Sequence, residues 1–269
     1  MNAPLLKVED LRVTYRAGRR KVEAVQGVLF EIARGRCFGV VGESGSGKSS
    51  LARAILALEE NVSGRVEFDG QDVLKLDRTE RLAFRRRAQM VFQDPAGSLN
   101  PRLKVGAALA EVLHVHRLAR TPAEAAARAA QWLETVGLDP AYAPRFPHEL
   151  SGGQRQRVNL ARALCAGAEF LVADEPVSAL DVSVQAQILN LLKSLQARRG
   201  ITWMLIGHDL AVMRHMADDL IVMRAGEVVE RGPAADVLAR PAHAYTQELL
   251  AAAPNVGRAL ARRAAGRPV

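Results

Sequence analysis

The residues best suited to bind a phosphate lie in a glycine-rich stretch that follows the apolar run CFGVVG. The stretch reads GESGSGKSS, and its glycine, four further residues and then Gly-Lys-Ser have the spacing of a P-loop. In such a loop, backbone N–H groups and the first turn of a helix converge on a phosphate, whereas a plain surface turn would not require the Lys-Ser pair. We therefore expect Lys48 to reach the β- and γ-phosphates of ATP and the Ser49 hydroxyl to bind Mg²⁺. The predicted nucleotide ligands are Gly42, Glu43, Ser44, Gly45, Ser46, Gly47, Lys48, Ser49 and Ser50.

Two adjacent carboxylates end a second apolar run, FLVADEP. Ligands gather at the carboxyl ends of parallel strands, where the P-loop would also lie. Side chains alternate along a strand, so we expect Asp174 and Glu175 to point in different directions. Asp174 is predicted to hold Mg²⁺, and Glu175 to polarise the attacking water. Two acids at the end of an apolar strand are costly to bury without a cation, which argues against a purely structural role.

Three further side chains could complete this site, and each also has an ordinary structural interpretation. His208 ends the apolar run TWMLIG and could contact the γ-phosphate, pair with Glu175, or be a satisfied core or capping histidine. Gln93 closes AQMVFQD, and its amide could touch Mg²⁺ or the water, or be an ordinary strand-end amide. Tyr15 is predicted in a loop after the first strand, where its ring could stack on adenine. The predicted catalytic residues are Glu175, His208 and Lys48.

A second glycine-rich helix start, LSGGQRQRVNLARAL, lies well away in sequence from the P-loop. Ser151 is a good N-cap, and Gly152 and Gly153 leave the first N–H groups unshielded, so this helix start is predicted to bind an anion. A flexible hinge would accommodate the glycines but would not require Ser151 and Gln154. A second copy of the chain, placed head to tail, could close the open side of the bound ATP with these four residues.

Composition limits the class of protein without deciding its function. The chain has 269 residues, 49% of them hydrophobic and 25% charged, which is typical of a soluble globular protein. It has no apolar run long enough for a membrane span and no export signal at its N-terminus. The net charge is +8, and the tail after Pro254 carries four arginines and no acid, which fits an anionic membrane surface as well as nucleic acid. Cys37 and Cys165 are predicted to be buried core thiols.

The elements that must position these residues follow from the hydrophobic pattern. LLKVEDLRVTY and EAVQGVLFEI alternate as half-buried antiparallel strands do, and GRVEFDGQDV is predicted to form a hairpin around Asp69-Gly70. The segment TPAEAAARAAQWLETVGL is predicted to be a helix capped by Thr121, with Pro122 at its first position, Glu124 completing a capping box and Gly137 as its stop. The short apolar runs FLVAD, TWMLIG and DLIVM alternate with helices, which predicts a mostly parallel sheet covered on both faces.

Five motifs in order, GESGSGKSS, LSGGQ, FLVADEP, SALD and GHD, strongly resemble the ATP-binding subunits of ABC transporters from about Leu5 to Pro254. The fold class is accordingly α/β: a P-loop NTPase (RecA-like) core with a mostly parallel sheet, an N-terminal antiparallel β subdomain and an inserted α-helical signature subdomain. The resemblance implies a head-to-tail dimer with ATP between the P-loop of one copy and Ser151–Gln154 of the other. It also implies that Ser178–Asp181 line the dimer interface, with Asp181 near the nucleotide. Gln93 would couple the nucleotide to the membrane subunits.

Two segments narrow the resemblance to the oligopeptide/dipeptide/nickel importer ATPases, namely MVFQDPAGSLNPR and RPAHAYTQELLAAAP. Some members of that group carry a cysteine cluster in the C-terminal extension, but no cysteine follows Cys165 here, so an iron–sulfur site is excluded. The sequence departs from the family pattern at Gly207, Asn159 and Ser50, and none of these changes removes a catalytic group. The expected domains are residues 1–94 and 155–235 (core), 95–154 (helical signature subdomain), 236–256 (extension) and 257–269 (basic disordered tail).

The expected function is an ATP-binding and ATP-hydrolysing subunit that powers an importer of oligopeptides or dipeptides, with nickel or another small solute as alternative cargo. The expected partners are a second ATP-binding subunit (identical or paralogous), two integral membrane permease subunits and, indirectly, an extracytoplasmic solute-binding protein. The subunit would lie at the cytoplasmic face of the plasma (inner) membrane. One alternative is the ATPase of an exporter or lipoprotein-release system. Another is a soluble ABC-type ATPase acting on nucleic acid or ribosomes, but a single cassette without a long coiled-coil insertion argues against a nucleic-acid partner.

Overall fold

A computed structural model of the chain describes residues 3–17, 20–178 and 180–252. The predicted basic tail (257–269) lies outside the described residues, as do residues 253–256 of the predicted extension and Ala179 of the predicted interface segment.

The strands form two sheets. They are β1 (Leu6–Ala17), β2 (Arg20–Ile32), β3 (Cys37–Val41), β4 (Val62–Phe68), β5 (Gln71–Asp72), β6 (Ala88–Val91), β7 (Phe170–Asp174), β8 (Thr202–Gly207), β9 (Asp219–Arg224) and β10 (Glu227–Pro233). The first sheet is antiparallel, in the order β2-β1-β4-β5. The hairpin at Asp69-Gly70 is confirmed, since Phe68 pairs with Gln71 and both turn residues have positive φ.

The first strand is longer than the alternation predicts. β1 and β2 remain paired beyond the predicted ends, and Tyr15 lies opposite Val22 inside this ladder. The prediction that Tyr15 sits in a loop after the first strand is therefore wrong. The register shifts three times along β1, and such irregularities break the simple alternation on which the predicted boundary depended.

The second sheet carries the predicted site. Its order is β10-β9-β3-β8-β7-β6, parallel from β9 to β6 with β10 antiparallel at the edge, so the prediction of a mostly parallel sheet is confirmed. Parallel strands end at the same edge of a sheet. The P-loop after β3, the carboxylates at the end of β7, Gln93 after β6 and His208 after β8 therefore meet at one edge.

The helices are α1 (Lys48–Ile55), α2 (Arg78–Arg87), α3 (Pro95–Ser98), α4 (Val105–Val115), α5 (Pro122–Thr135), α6 (Gly152–Cys165), α7 (Val182–Arg199), α8 (Leu210–Met216), α9 (Ala234–Ala239) and α10 (Ala244–Ala252). Two 3₁₀ turns cover Pro140–Tyr142 and Pro147–Glu149. Between β6 and β7 the described residues form helices and turns and no strand. The division of the chain into domains remains a prediction.

The cap of α5 differs in one detail from the prediction. Thr121 caps the helix and accepts a hydrogen bond from the Glu124 N–H at 3.1 Å. Glu124 does not close a capping box, because its carboxylate accepts from the Arg120 N–H, one residue before the cap, at 2.8 Å. Gly137 follows the helix with a φ of 72°, as expected of a stop.

Alternation along the buried strands builds two cores. On β7, Phe170 and Val172 face a core shared with α1 and the antiparallel sheet, while Leu171 and Ala173 face a core shared with α6 and α7. β8 divides in the same way, with Trp203 on the second side and Met204 on the first. The sheet is thus covered on both faces, which fixes the strand ends that carry the site.

Candidate nucleotide-binding site

The P-loop connects β3 to α1 through a turn that only glycine accommodates. Gly47 has a φ of 99°, and a Cβ there would lie 2.1 Å from the carbonyl oxygen of Ala24 on β2. The turn borders a cavity of about 650 Å³ that brings together most of the predicted site. Its lining residues are Ala24, Glu43, Ser44, Gly45, Gly47, Lys48, Ser49, Ser50, Gln93, Asp174, Glu175 and His208. Gly42 and Ser46 are buried within the loop.

Lys48 is held by the loop itself. Its Nζ donates to the carbonyl oxygens of Gly42 at 2.8 Å and Glu43 at 2.7 Å, and lies 3.4 Å from the Ser46 hydroxyl. Burial lowers the pKa of the ammonium, and the nearby carboxylates, Glu175 first, oppose that shift. A cation held in this way is poised to exchange carbonyl oxygens for more strongly charged phosphate oxygens.

Asp174 ends β7 with only 9% of its surface exposed. Burial raises the pKa of this carboxyl, and a hydrogen bond with Ser49 opposes the shift. The predicted metal pair, a hydroxyl and a carboxylate, is therefore in contact, and a cation would offset the desolvation of the carboxylate. The described residues contain no group of three or more His, Cys, Asp and Glu side chains able to hold a metal. Two protein oxygens suit Mg²⁺, which usually keeps several waters and phosphate oxygens as its other ligands.

Glu175 is held by Gln93 and His208, of which only His208 was predicted as its partner. Gln93 Nε2 donates to one carboxylate oxygen at 2.8 Å, and His208 Nδ1 lies 3.0 Å from the other. Glu175 has a φ of 45°, a left-handed conformation that is uncommon for a residue with a side chain. Asp174 and Glu175 do have different partners, as predicted. The reason is that the chain turns after β7 and not that the two residues alternate along it.

Tyr15 lies beside α1 and outside the cavity lining. Its hydroxyl donates to Glu59 at 2.8 Å and is 3.1 Å from the Ser50 hydroxyl. Burial raises the pKa of the phenol. Stacking of Tyr15 on adenine remains a prediction.

The second glycine-rich helix start also has a structural role within the chain. Ser151 and Gln154 form a reciprocal capping box: the Gln154 N–H donates to the Ser151 hydroxyl at 3.3 Å, and the Ser151 N–H donates to Gln154 Oε1 at 2.9 Å. A Cβ on Gly153 would lie 2.4 Å from Cγ1 of Val184 on α7. Ser151 and Gln154 therefore serve as a helix cap, a role that the alternative of a flexible hinge did not include. Nucleotide binding by Ser151–Gln154 remains a prediction, since these residues do not line the cavity with the P-loop.

Asp181 also has a structural role within the chain. It is the N-cap of α7, and its carboxylate accepts from the Val184 N–H at 2.9 Å and the Ser183 hydroxyl at 2.7 Å. The hydrogen bond from the Val184 N–H contributes most to lowering the pKa of Asp181. Its proximity to a nucleotide remains a prediction.

Comparison with known proteins decides the family. A family model described as "ABC transporter" matches residues 25–178. The chain belongs to the ABC transporter family. The resemblance inferred from the five motifs, the fold class and the prediction of an ATP-hydrolysing subunit are thereby confirmed. Among its relatives in this family, the oligopeptide transport ATP-binding protein OppF of Bacillus subtilis (strain 168) is 46% identical over 255 residues, covering 94% of this chain and 84% of the relative.

Other members of the family agree with this comparison. A putative peptide import ATP-binding protein of Brucella ovis is 47% identical over 252 residues, covering 94% of this chain and 79% of the relative. The dimeric ATP-binding cassette MJ0796, solved in a post-hydrolysis state with ADP and Pi, has a TM-score of 0.77 at 32% identity, covering 85% of this chain and 98% of that one. The structure of cbiO1 from Clostridium perfringens, part of the ABC transporter complex cbiONQ, has a TM-score of 0.79 at 27% identity, covering 97% of this chain and 100% of that one.

One contact of this ABC ATPase was missed by sequence reasoning. The Glu43 N–H of the P-loop donates to the hydroxyl of Tyr245 on α10, 202 residues further along the chain, at 3.0 Å. The sequence marked Tyr245 only as part of a family-specific extension. No local pattern indicates that the extension returns to the P-loop.

Proposed function

We propose that this chain is the ATP-binding and ATP-hydrolysing subunit of an ABC importer for oligopeptides or dipeptides. The observation that carries the ATPase part is the shared cavity that gathers Lys48, Ser49, Asp174 and Glu175 at one sheet edge. The cargo class is supported by the relatives named for oligopeptide transport and peptide import. Nickel or another small solute is the alternative cargo.

Lys48 and the P-loop amides bind the β- and γ-phosphates in this proposal. Ser49 and Asp174 would hold Mg²⁺, which would neutralise charge that develops on the phosphates. The burial of Lys48 and Asp174 supports these roles, because a phosphate and a cation would compensate two charges in a poorly solvated place. Positioning and charge neutralisation carry most of the rate in phosphoryl transfer.

Glu175 polarises the attacking water. Gln93 and His208 fix the carboxylate by one hydrogen-bond contact each, so its orientation is set before the substrate arrives. His208 is exposed at 62% of its side chain and can turn towards the γ-phosphate while Glu175 takes the water. Gln93 links this carboxylate to the helical segment that follows β6.

A second ATP-binding subunit closes the site. Glu43, Ser44 and Gly45 are exposed on the cavity side of the P-loop, so a nucleotide bound there would keep an uncovered face. Ser151–Gln154 of a second subunit, placed head to tail, covers that face in this proposal. The MJ0796 cassette is a dimer with ADP and Pi bound, which supports a dimeric arrangement in this family.

Two permease subunits are the proposed membrane partners, which places the chain at the cytoplasmic face of the plasma (inner) membrane. None of the described helices is both long and apolar enough to cross a bilayer. A groove of about 450 Å³ between the parallel sheet and α4 exposes apolar side chains, with Leu58, Phe92 and Val115 each more than 40% exposed. Phe92 adjoins Gln93, so a permease segment seated in this groove would sense the nucleotide site. A solute-binding protein acts on the permease and not directly on this chain.

The ATPase proposal is tested with two variants of the purified chain. Lys48→Ala is expected to abolish ATP binding measured by calorimetry, because it removes the cation beneath the phosphates. Glu175→Gln should keep ATP binding, lower kcat about 100- to 10,000-fold and accumulate an ATP-bound dimer in size-exclusion chromatography. Glu227→Gln, at an exposed glutamate on β10, is the matched control and should leave all three measurements unchanged. Normal hydrolysis by Glu175→Gln would overturn the role of Glu175.

The importer proposal is tested in proteoliposomes that contain the permease and its binding protein. Peptides should stimulate ATP hydrolysis and nickel should not. Phe92→Asp should abolish this stimulation and retain the basal ATPase rate, whereas Leu29→Asp, at an exposed leucine on β2, should change neither. Stimulation by nickel and not by peptides would make nickel the cargo. Salt-sensitive RNA binding without a permease would favour the alternative of a soluble ABC-type ATPase that acts on nucleic acid.

A further inference from the structure

The last described helix packs against the nucleotide site. Tyr245 on α10 is only 3% exposed, and its hydroxyl accepts a hydrogen bond from the Glu43 N–H at 3.0 Å. Glu43 is the first residue after the initial glycine of the P-loop. A buried phenol oxygen therefore holds one backbone group of the loop that is expected to surround the phosphates.

The phenol ring and the start of the helix that carries it are each held by the second sheet. The guanidinium of Arg224, at the end of β9, lies over the Tyr245 ring at 4.8 Å from its centroid. The start of α10 is tied to β10, because the Glu230 carboxylate accepts from the backbone N–H groups of Ala242 at 2.7 Å and His243 at 3.1 Å. The hydroxyl of Tyr245 is thus placed by the parallel sheet and not by a loosely attached tail.

The same residue of the P-loop is held at its other end by the catalytic lysine. The Glu43 carbonyl oxygen accepts from Lys48 Nζ at 2.7 Å, while its N–H donates to Tyr245. A continuous chain of contacts therefore runs from α10 through Glu43 to the ammonium. Loss of the phenol oxygen would leave the N–H of Glu43 without this partner. The Glu43 carbonyl, which accepts a hydrogen bond from Lys48, would then no longer be held in one orientation.

We propose that Tyr245 is a positioning residue of the nucleotide site: it holds the P-loop through Glu43, so that Lys48 and the loop amides are already placed when ATP binds. This inference rests on the proposed role of the P-loop in binding ATP. The C-terminal extension then contributes to ATP affinity within one subunit. The contact is equally present with substrate and with the reacting phosphate, so its loss should change KM and leave kcat almost unaltered.

Tyr245→Phe tests the proposal, because it removes only the hydroxyl and keeps the ring under Arg224. We expect the Kd and KM for ATP to rise about threefold to tenfold, and kcat to change less than about twofold. Hydrogen–deuterium exchange of the peptide covering residues 37–48 should become faster in the nucleotide-free protein. If the substitution only loosened the extension, exchange would not become faster specifically in this peptide.

Thr246→Val is the matched control. Thr246 is the next residue of α10 and is 1% exposed. Its side chain lies against Glu230 and, among the described residues, has no hydrogen bond to the P-loop. Thr246→Val should lower the melting temperature about as much as Tyr245→Phe does. It should leave the Kd for ATP and the hydrogen–deuterium exchange of residues 37–48 unchanged. An equal rise in Kd in Thr246→Val would show that loosening α10 is sufficient, and would overturn the specific role of the hydroxyl.

Arg224→Met provides a second, independent variant at an exposed position. Removing the guanidinium from the Tyr245 ring should raise the Kd for ATP in the same direction by about twofold to fivefold. Unchanged Kd in both Tyr245→Phe and Arg224→Met, while Lys48→Ala abolishes binding, would overturn the inference and leave the proposed ATP site standing. Unchanged binding in Lys48→Ala would instead refute the proposed site itself.

Discussion

Gly153, at the start of α6, is predicted to be required for packing against α7 more than for exposing backbone N–H groups. A Cβ at position 153 would lie 2.4 Å from Cγ1 of Val184, whereas carbon atoms in contact are about 3.5–4.0 Å apart. The neighbouring Gly152 differs, since a Cβ there would lie 3.4 Å from Cδ2 of Leu180, close to an ordinary contact. Gly153→Ala and Gly152→Ala therefore form a matched pair of the same chemistry in adjacent positions.

The expected magnitudes follow from two opposing effects. Forcing α6 and α7 apart by more than 1 Å should cost about 1–3 kcal/mol of the free energy of unfolding. Replacing glycine by alanine in a helix returns up to about 1 kcal/mol at either position. Gly152→Ala should therefore be neutral or slightly stabilising. Gly153→Ala should be less stable than Gly152→Ala by about 1–3 kcal/mol, and each kcal/mol shifts the melting temperature by about 2–4 °C.

The assay is thermal unfolding of the two single variants, of Val184→Ala and of the double variant Gly153→Ala/Val184→Ala. Removing Cγ1 makes room for the new methyl group, so the double-mutant cycle should show a favourable coupling of about 1–3 kcal/mol. If the glycines serve only to expose N–H groups, both alanine variants would lose ATPase activity alike and neither would couple to Val184. Equal melting temperatures for the two single variants, or a coupling within about 0.5 kcal/mol of zero, would refute the packing argument.

Three further predictions follow from burial and contacts. Burial raises the pKa of Asp174, so the nucleotide-free fold should lose stability as pH rises from the ordinary carboxyl pKa through the raised one. Asp174→Asn should remove this loss and raise the melting temperature at pH 7. An unchanged dependence of the melting temperature on pH would contradict this prediction. Burial raises the pKa of the Cys37 thiol and raises that of Cys165 to about 12. Neither thiol should therefore react with a disulfide reagent at pH 8 in the native chain, and both should react once the chain is denatured. Rapid labelling of the native chain would contradict their burial. His208→Ala removes the contact to one carboxylate oxygen of Glu175. It should lower kcat about a hundredfold with little change in the Kd for ATP. A full time course of hydrolysis would check the change in kcat.

The parallel sheet could be predicted because its strands are centred on short apolar runs. β3, β7, β8 and β9 are buried on both faces and keep no polar alternation, and in a soluble chain this pattern is typical of strands inside a covered sheet. Once the runs are parallel strands, the residues that follow them must meet at one edge. That step alone brought together the P-loop, the carboxylates after β7, Gln93 and His208.

Features that depend on distant partners could not be predicted from the sequence. Nothing near Glu43 indicates that its N–H is held by Tyr245, because the two residues meet only through the order of strands in the sheet. The same holds for Gly153, whose need for glycine comes from Val184 on another helix. Tyr15 was misplaced for a different reason, since the bulges in β1 shift the register and hide the true end of the strand.

The electrostatics of the nucleotide-free site indicate that ATP and a divalent cation should bind together. Burial lowers the pKa of Lys48 and raises that of Asp174, so the fold disfavours the charged form of both groups. A phosphate alone would stabilise the charged form of Lys48 but place further negative charge beside Asp174. A cation alone would stabilise the charged form of Asp174 but place further positive charge beside Lys48. ATP and Mg²⁺ together stabilise the charged forms of both groups. The rise in melting temperature with both ligands should therefore exceed the sum of the rises with each alone. Additive rises would mean that Asp174 does not face the bound cation.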